Sequence, residues 1–356
     1  MQAFKTMSRQ ENSMMPDQVA ARCALVLETN NLRGGADAEA AASTSLQRLI
    51  ALLAKQKLPL TALAQVVITH DGLSAASCEA VMALAGRPID FVRIDAAIGY
   101  YDAKNVGFAA THAARCDHVV FADADCLPDD DWLLQMLTPF TRGADAPAVV
   151  AGRTSYAANI VGTALTTIDF MYFPNADHAG ATSNFYANNV AFRRDVFEQH
   201  SYQALDGVYR AHCQVLGMRL KAANVPIHYA AAAHTEHRLP DTRAEALKLR
   251  WMRGQDTYSL TPHLLRSYVS ARWQWLAKSG PIGPLCVLFT RLGFSVRALN
   301  HQDLPPLRGL RWLAGVVLIV GFSAIDMLGA FARGIGLHTT GRTNADAQAL
   351  SYHRPT

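Results

Sequence analysis

What this chain lacks narrows it first. Its six cysteines (Cys23, Cys78, Cys116, Cys126, Cys213 and Cys286) include no Cys-x-x-Cys pair. That argues against a zinc ribbon or a disulfide scaffold and fits a reducing compartment. No long basic run appears and the net charge is only +4, so there is no nucleic-acid footprint; the mild positive balance suits anionic substrates or a membrane surface. Met1 to Gln18 is polar and has no apolar core segment, which speaks against a signal peptide.

What is present is apolar. Half of the residues are hydrophobic, and a mean hydropathy of +0.06 is high for a freely soluble enzyme of this size. The 356 residues hold one large domain, or one domain plus an appendage. Residues 1–20 read as a disordered leader. Short apolar runs then alternate with helical patterns: a strand at Cys23–Leu27, a helix over Ala38–Lys55, a strand from Ala64 to Thr69, a helix near Ser74–Leu84, and a strand at Ile89–Ile94. Gly99–Asn105 reads as a loop and Val106–Arg115 as an alanine-rich helix. Such alternation predicts an α/β fold, a mostly parallel sheet with right-handed crossovers, flanked by helices.

The stretch from His118 to Trp132 organises the rest. Val119 to Ala122 is a buried-type strand that ends in Asp123 and Asp125. In extended backbone, residues two apart face the same side, so both acids are candidates to face one cation at the carboxyl end of the strand, where open α/β sheets bind ligands. A hard Mg²⁺ or Mn²⁺ is held by one or two carboxylates plus phosphate oxygens. The competing reading is a pair of solvated loop acids. Asp129 to Asp131 then supply an acidic first turn for a helix through Trp132, Leu133 and Met136.

In this setting the Asp-x-Asp resembles that of the nucleotide-sugar glycosyltransferases of family 2, whose fold is GT-A, a Rossmann-like sheet. Three further stations resemble the family in order: Thr29-Asn30-Asn31, His70-Asp71-Gly72 and Ala103-Lys104-Asn105-Val106-Gly107. The resemblance implies that Asp71 meets the nucleobase with Glu28 or Thr29 nearby, and that Lys104 lies near the diphosphate. A turn-forming Asp-Gly and an exposed helical lysine are the plain alternatives.

Beyond residue 146 the resemblance is looser. Gly180 to Arg194 is similar to a family segment on the donor-sugar side, making Asn188 and Asn189 candidates for sugar hydroxyls or for loop capping. Leu216-Gly-Met-Arg-Leu220 resembles a family helix, but His212 and Cys213 stand where many members carry a Glu-Asp pair whose Asp is the general base. An inverting displacement must deprotonate the acceptor hydroxyl. His212 is the first candidate and Asp206 the second; a chain that binds but does not transfer also stays open. His234 or His237 would complete the metal shell by resemblance, favouring Mn²⁺ over Mg²⁺. Leu247 to Gly254 is similar to the Gln-x-x-Arg-Trp helix of the family's membrane synthases, with Leu247 in place of Gln. It assigns Arg250 and Arg253 to the donor phosphates and Trp251 to an acceptor sugar face; an amphipathic surface helix is the alternative.

Trp312 to Ala332 gives 21 residues with one charge, Asp326, enough to span a bilayer. Asp326 and Ser323 weaken that reading, which leaves spanning and in-plane positions open, with a buried core helix as the alternative. A second stretch, Pro284 to Phe294, is too short to span, carries Arg291, and reads as interfacial, with Trp273 and Trp275 near the headgroups. The expected layout is a nucleotide-sugar-binding half at 21–145, an acceptor half at 146–262, a hydrophobic, membrane-associated helical appendage at 263–335, and a loose tail at 336–356. The expected activity is metal-dependent transfer from a UDP- or GDP-sugar to a lipid or saccharide acceptor on the cytoplasmic side of the membrane, without nucleic-acid partners. An inactive nucleotide-sugar-binding scaffold is one alternative. A nucleotidyltransferase is another, for which only Arg33-Gly34-Gly35 hints at a phosphate loop.

Overall fold

The computed structural model describes residues 14–29, 38–171, 180–205, 208, 210–240 and 242–337. Asn30, Asn31, Arg33 to Gly35, Asp206 and the expected tail from 338 lie outside the described residues. The end of the expected leader is a short helix, α1 (Pro16–Ala20), whose Val19 and Ala20 are fully buried; residues 16–20 therefore belong to the core.

Four parallel strands form one side of the sheet: β1 (Cys23–Glu28), β2 (Gln65–His70), β3 (Asp90–Arg93) and β4 (His118–Asp123). They are separated by α2 (Ala38–Ala54), α3 (Ala75–Ala85) and α4 (Tyr100–Ala109). α4 begins six residues before the expected helix, because Gly99 in extended backbone caps it, and it ends by Ala110. The other side contains β5 (Cys126–Pro128), β6 (Val149–Ser155), β7 (Ala181–Thr182), β8 (Asn189–Arg193) and β9 (Ile227–His237). The described residues form one nine-stranded sheet of order β3-β2-β1-β4-β8-β6-β9-β5, with β7 added on β9. β8 runs antiparallel to both β4 and β6, and β6 is parallel to β9. One sheet thus spans both expected halves.

The strand order reverses between β1 and β4, where Glu28 is in register with Asp123. This is the topological switch point, and its crevice lies at the carboxyl ends of the strands. The six residues of β1 are all buried, as are those of β2, as a parallel sheet covered on both faces demands.

The remaining helices close the other end. They are α5 (Trp132–Leu137), α6 (Ile160–Phe170), α7 (Arg194–Gln199), α8 (His212–Ala222), α9 (Arg243–Tyr268), α10 (Ile282–Ala298) and α11 (Leu310–Gly334). α9 continues through the expected boundary at 262/263 despite Pro262. α11 is the one described helix long and apolar enough to cross a bilayer by length and composition, and a third of its apolar window is buried against the domain.

Glycine sets how closely α11 approaches α9. A Cβ on Gly254 would lie 2.0 Å from the carbonyl oxygen of Asp326, and one on Gly329 would lie 2.3 Å from that of Trp251. Backbone cannot yield there as a flexible side chain would. Gly254→Ala is therefore expected to destabilise the fold by about 1–3 kcal/mol through overpacking, outweighing the ~1 kcal/mol of helix propensity alanine brings. Urea unfolding of the two proteins checks this; an unchanged or raised midpoint would refute the close helix contact.

Candidate functional site

β4 delivers Asp123 to the switch point, and its surroundings are polar but sealed. The Lys104 ammonium, fully buried on α4, lies 2.5 Å from Asp123 Oδ1 and donates also to the Ala122 carbonyl at 3.3 Å. Tyr100 Oη donates to Asp123 Oδ2 at 2.7 Å. Burial and the neighbouring Asp123 charge hold the Tyr100 phenol well above its ordinary pKa, so it stays a donor. Lys104 is thus neither an exposed helical lysine nor a free phosphate ligand: its charge is committed to Asp123.

Asp123 and Asp125 do not point at one donor cluster. β4 ends at Asp123 and residues 124–125 form a turn, so the period-two rule of an extended strand stops applying between them. Asp125 instead meets His237, at the far end of β9, with Oδ2 3.7 Å from Nε2. Cys126 joins them, and the three residues' donor atoms lie within 4.8 Å of one another. His237 Nδ1 is 2.9 Å from the Arg238 carbonyl. A carbonyl only accepts, so Nδ1 carries the proton, and in the neutral ring Nε2 turns a lone pair toward the Asp125 carboxylate. An imidazole nitrogen and a carboxylate oxygen thus converge, a facing that either a proton or a divalent cation between them satisfies. The Asp125–His237 donor set therefore fits a metal, with one oxygen and one imidazole ligand.

His234 does not join it. Its Nδ1 is 3.0 Å from Asp129 Oδ2 and its Nε2 is 2.8 Å from Ser155 Oγ, so both ring nitrogens are taken. Asn189 is likewise committed: it accepts from the Trp132 indole at 2.8 Å and donates to the carbonyls of Arg153 and Ala233. It ties β8 to β6 and β9 and is no sugar ligand. Asn188 does line the cavity, with Nδ2 3.5 Å from Cys126 Sγ. Thr29, buried, donates to the Thr69 carbonyl at 2.8 Å, and Asp71 follows the end of β2. Both stay at the switch-point edge.

From Asp123 a cleft with about 1180 Å³ of empty space, open mouth included, extends toward α6, α9 and α11. Its far wall is a buried ionic network. Arg250 and Arg253 on α9 both pair with Asp169 Oδ1 on α6, whose Oδ2 accepts from Tyr156 Oη at 2.8 Å. Arg250 also faces Asp326 on α11 at 3.5 Å. The two arginines expected at the donor phosphates do line the cleft. Trp251 does not; it lies a 100° helical step away and is 37% exposed, so its expected stacking role is not supported. Asp169, Tyr156, Asp256 and Arg291, also in the wall, went unnoticed in the sequence because no short motif joins them.

The expected base is displaced as well. Ala211, which precedes α8, has a left-handed φ of 84°; its N–H donates to Tyr101 Oη at 3.2 Å, and the Arg210 N–H donates to Asp256 at 2.8 Å. That turn aims Cys213 at the cleft and tucks His212 behind it, stacked on Tyr101 at 4.3 Å between ring centroids. His212 does not line the cleft, and burial pushes its pKa down to about 4. Burial raises that of Cys213, leaving it a neutral thiol.

Residues 41–201 match the family model described as glycosyl transferase family 2. Among solved structures, a mannosyltransferase from Pyrobaculum calidifontis, determined in complex with GDP-Man and Mn²⁺, superposes with a TM-score of 0.53 at 15% identity, over 88% of this chain and 87% of that one. No curated protein matches the chain by sequence. The fold is therefore a mixed α/β fold of GT-A type.

The depressed pKa of His212 has a stability consequence. An unfolded histidine gains its proton near pH 6.5 and the folded one only near pH 4, so in between the unfolded state binds more protons. The stabilisation is complete above pH 6.5 and lost as pH falls to 4, on the order of 3 kcal/mol. His212→Phe, which keeps the stack on Tyr101, is expected to flatten that part of the pH–stability curve measured by urea unfolding. An identical acid slope in the variant would contradict the buried neutral ring.

Proposed function

We propose, from a chain whose residues 41–201 belong to glycosyl transferase family 2, that this protein moves a sugar from a nucleoside diphosphate donor to an acceptor hydroxyl with the help of a divalent metal. The observation that carries the reading is the facing of Asp125 and His237 beside Asp123 at the switch point. Asp125 and His237 hold the metal, and the imidazole favours Mn²⁺ over Mg²⁺. When bound, the metal supplies positive charge to the departing diphosphate. Lys104 and Tyr100 fix the orientation of Asp123, while Asp71 and Thr29 border the space for the nucleoside. Arg250 and Arg253 bring cationic groups to the opposite wall, held in place by Asp169. The GDP-Man carried by the Pyrobaculum calidifontis neighbour makes guanosine donors the first to try, with uridine donors beside them.

The acceptor side faces a membrane. On α11, Leu313, Val317 and Val320 are about half exposed or more and fall at helical spacings of four and three, while Asp326, Ser323 and Gly329 turn inward. Phe289 on α10 and the flanking Trp273 and Trp275 are exposed too. A helix with one face packed on the catalytic domain and one apolar face outward suits an in-plane position at a bilayer. A lipid or lipid-linked acceptor is then presented at the surface where the cleft lies.

Calorimetry with GDP-mannose and UDP-glucose, with and without Mn²⁺, tests the donor site. Metal-dependent binding by the wild type is expected, lost in Asp125→Ala and His237→Ala and kept in His234→Ala. Well-folded protein that binds no nucleotide sugar would sink the transferase reading in favour of a scaffold. Membrane docking is checked by co-sedimentation with phosphatidylglycerol–phosphatidylcholine vesicles. The triple change of Leu313, Val317 and Val320 to Asp is expected to abolish sedimentation without lowering the unfolding midpoint; retention on vesicles would rule out that face.

A further inference from the structure

The transfer needs a proton acceptor, and neither His212 nor Cys213 meets that need: the first lies outside the cleft and the second is a buried thiol. Among the described residues, four carboxylates line the cleft, those of Asp123, Asp169, Asp256 and Asp326. Asp123 is held by Lys104 and Tyr100, and Asp169 by Arg250, Arg253 and Tyr156. Asp256 accepts from the Arg210 backbone. Asp326 is different. It is 6% exposed, its Oδ2 lies 3.5 Å from Arg250 Nη1, and its Oδ1 is buried without any hydrogen-bond partner. An ionised oxygen left so is costly, and an O–H group brought by a ligand would satisfy it.

Resting on the transferase reading above, we infer that Asp326 on α11 is the catalytic base: Oδ1 takes the hydrogen bond, and then the proton, of the acceptor hydroxyl. In the step, the acceptor oxygen forms a bond to the anomeric carbon as the bond from that carbon to the diphosphate oxygen breaks. The nucleoside diphosphate leaves with the electron pair, and the hydroxyl proton ends on Asp326 as a neutral carboxylic acid. The charged groups facing Asp326 are Arg250 and Arg253 on α9, Arg291 on α10 and Asp169 on α6. The arginines pull its pKa down, but burial outweighs them and holds it above the ordinary carboxylate value, which suits a base working near neutrality. The helix that resembles a membrane span thus completes the active site. Gly254 and Gly329 let it come close enough to do so.

The test uses the full chain, the donor it binds, and nucleoside diphosphate release with water or methyl glycosides as acceptors. Asp326→Asn is expected to keep the donor Kd within about threefold and to lower kcat by roughly 10²–10⁴-fold. It should also remove the acid limb of the kcat–pH profile, and Asp326→Glu should restore part of the turnover. Asparagine turnover within about threefold of wild type overturns the assignment. So does a parallel loss of donor binding, which would mark a residue that merely positions Arg250. If the asparagine variant does not fold, the wild-type profile decides: an acid limb with its midpoint within or below the ordinary carboxylate range refutes Asp326. Absence of donor binding in the wild type brings down the transferase reading itself, as does donor binding with no nucleoside diphosphate release by the wild type in any arm; wild-type release that Asp326→Asn leaves unchanged defeats this inference alone.

Discussion

The Lys104–Asp123 ion pair is the constraint from which the rest of the site follows. Both side chains are buried to within 1% of their surface, and a lone charge in that place would cost several kcal/mol. Each therefore needs the other, and the aromatic rings of Tyr100 and Phe121 sit beside the ammonium. The pair joins α4 to the end of β4 at the switch point between β1 and β4. The chain turns immediately after the pinned Asp123. That turn sends Asp125 toward the end of β9, so that its carboxylate meets His237 and not the Asp123 carboxylate's partners.

A second buried network holds the opposite wall. Asp169 gathers two arginines and a tyrosine, and Arg250 reaches on to Asp326, so α6, α9 and α11 are linked through charges with almost no exposure. Such networks contribute little net stability compared with apolar packing, while the loss of one member is severe. Their use here is geometric. They fix Arg250 and Arg253 at one end of the cleft, across from the Lys104–Asp123 pair at the other.

The sequence disclosed the frame better than the site. The strands at Cys23, Ala64 and His118 were legible because buried parallel strands are continuous apolar runs, and the carboxyl end of β4 was legible for the same reason. Asp123, Arg250 and Arg253, singled out by the family resemblance, line one cleft. The division of Asp123 from Asp125 was not legible, since it depends on where a strand ends, a matter of one residue. Nor was the length of β9, which continues to His237; along it one ring meets Asp125 while the other, of His234, meets Asp129. Asn189 and Trp251 carried the chemistry expected of them without the placement. The network of Asp169, Tyr156 and Asp256 left no trace in local pattern, because its members come from separate elements.

The C-terminal helix shows why an average hydropathy misleads. A spanning helix and an interfacial helix docked on a protein can share the same composition, and what separates them is the angular distribution of the exceptions. On α11 the exceptions Gly315, Ser323, Asp326 and Gly329 are buried, and the large aliphatic residues Leu313, Val317 and Val320 are exposed. The inward face is the less apolar one. In a bilayer-spanning helix free of neighbours, Asp326 would be a penalty of a few kcal/mol; against α9 it has Arg250 as a counter-ion. The same residue that weakens a transmembrane reading of the sequence thus ties the helix to α9, and the large aliphatic side chains are left on its outer face.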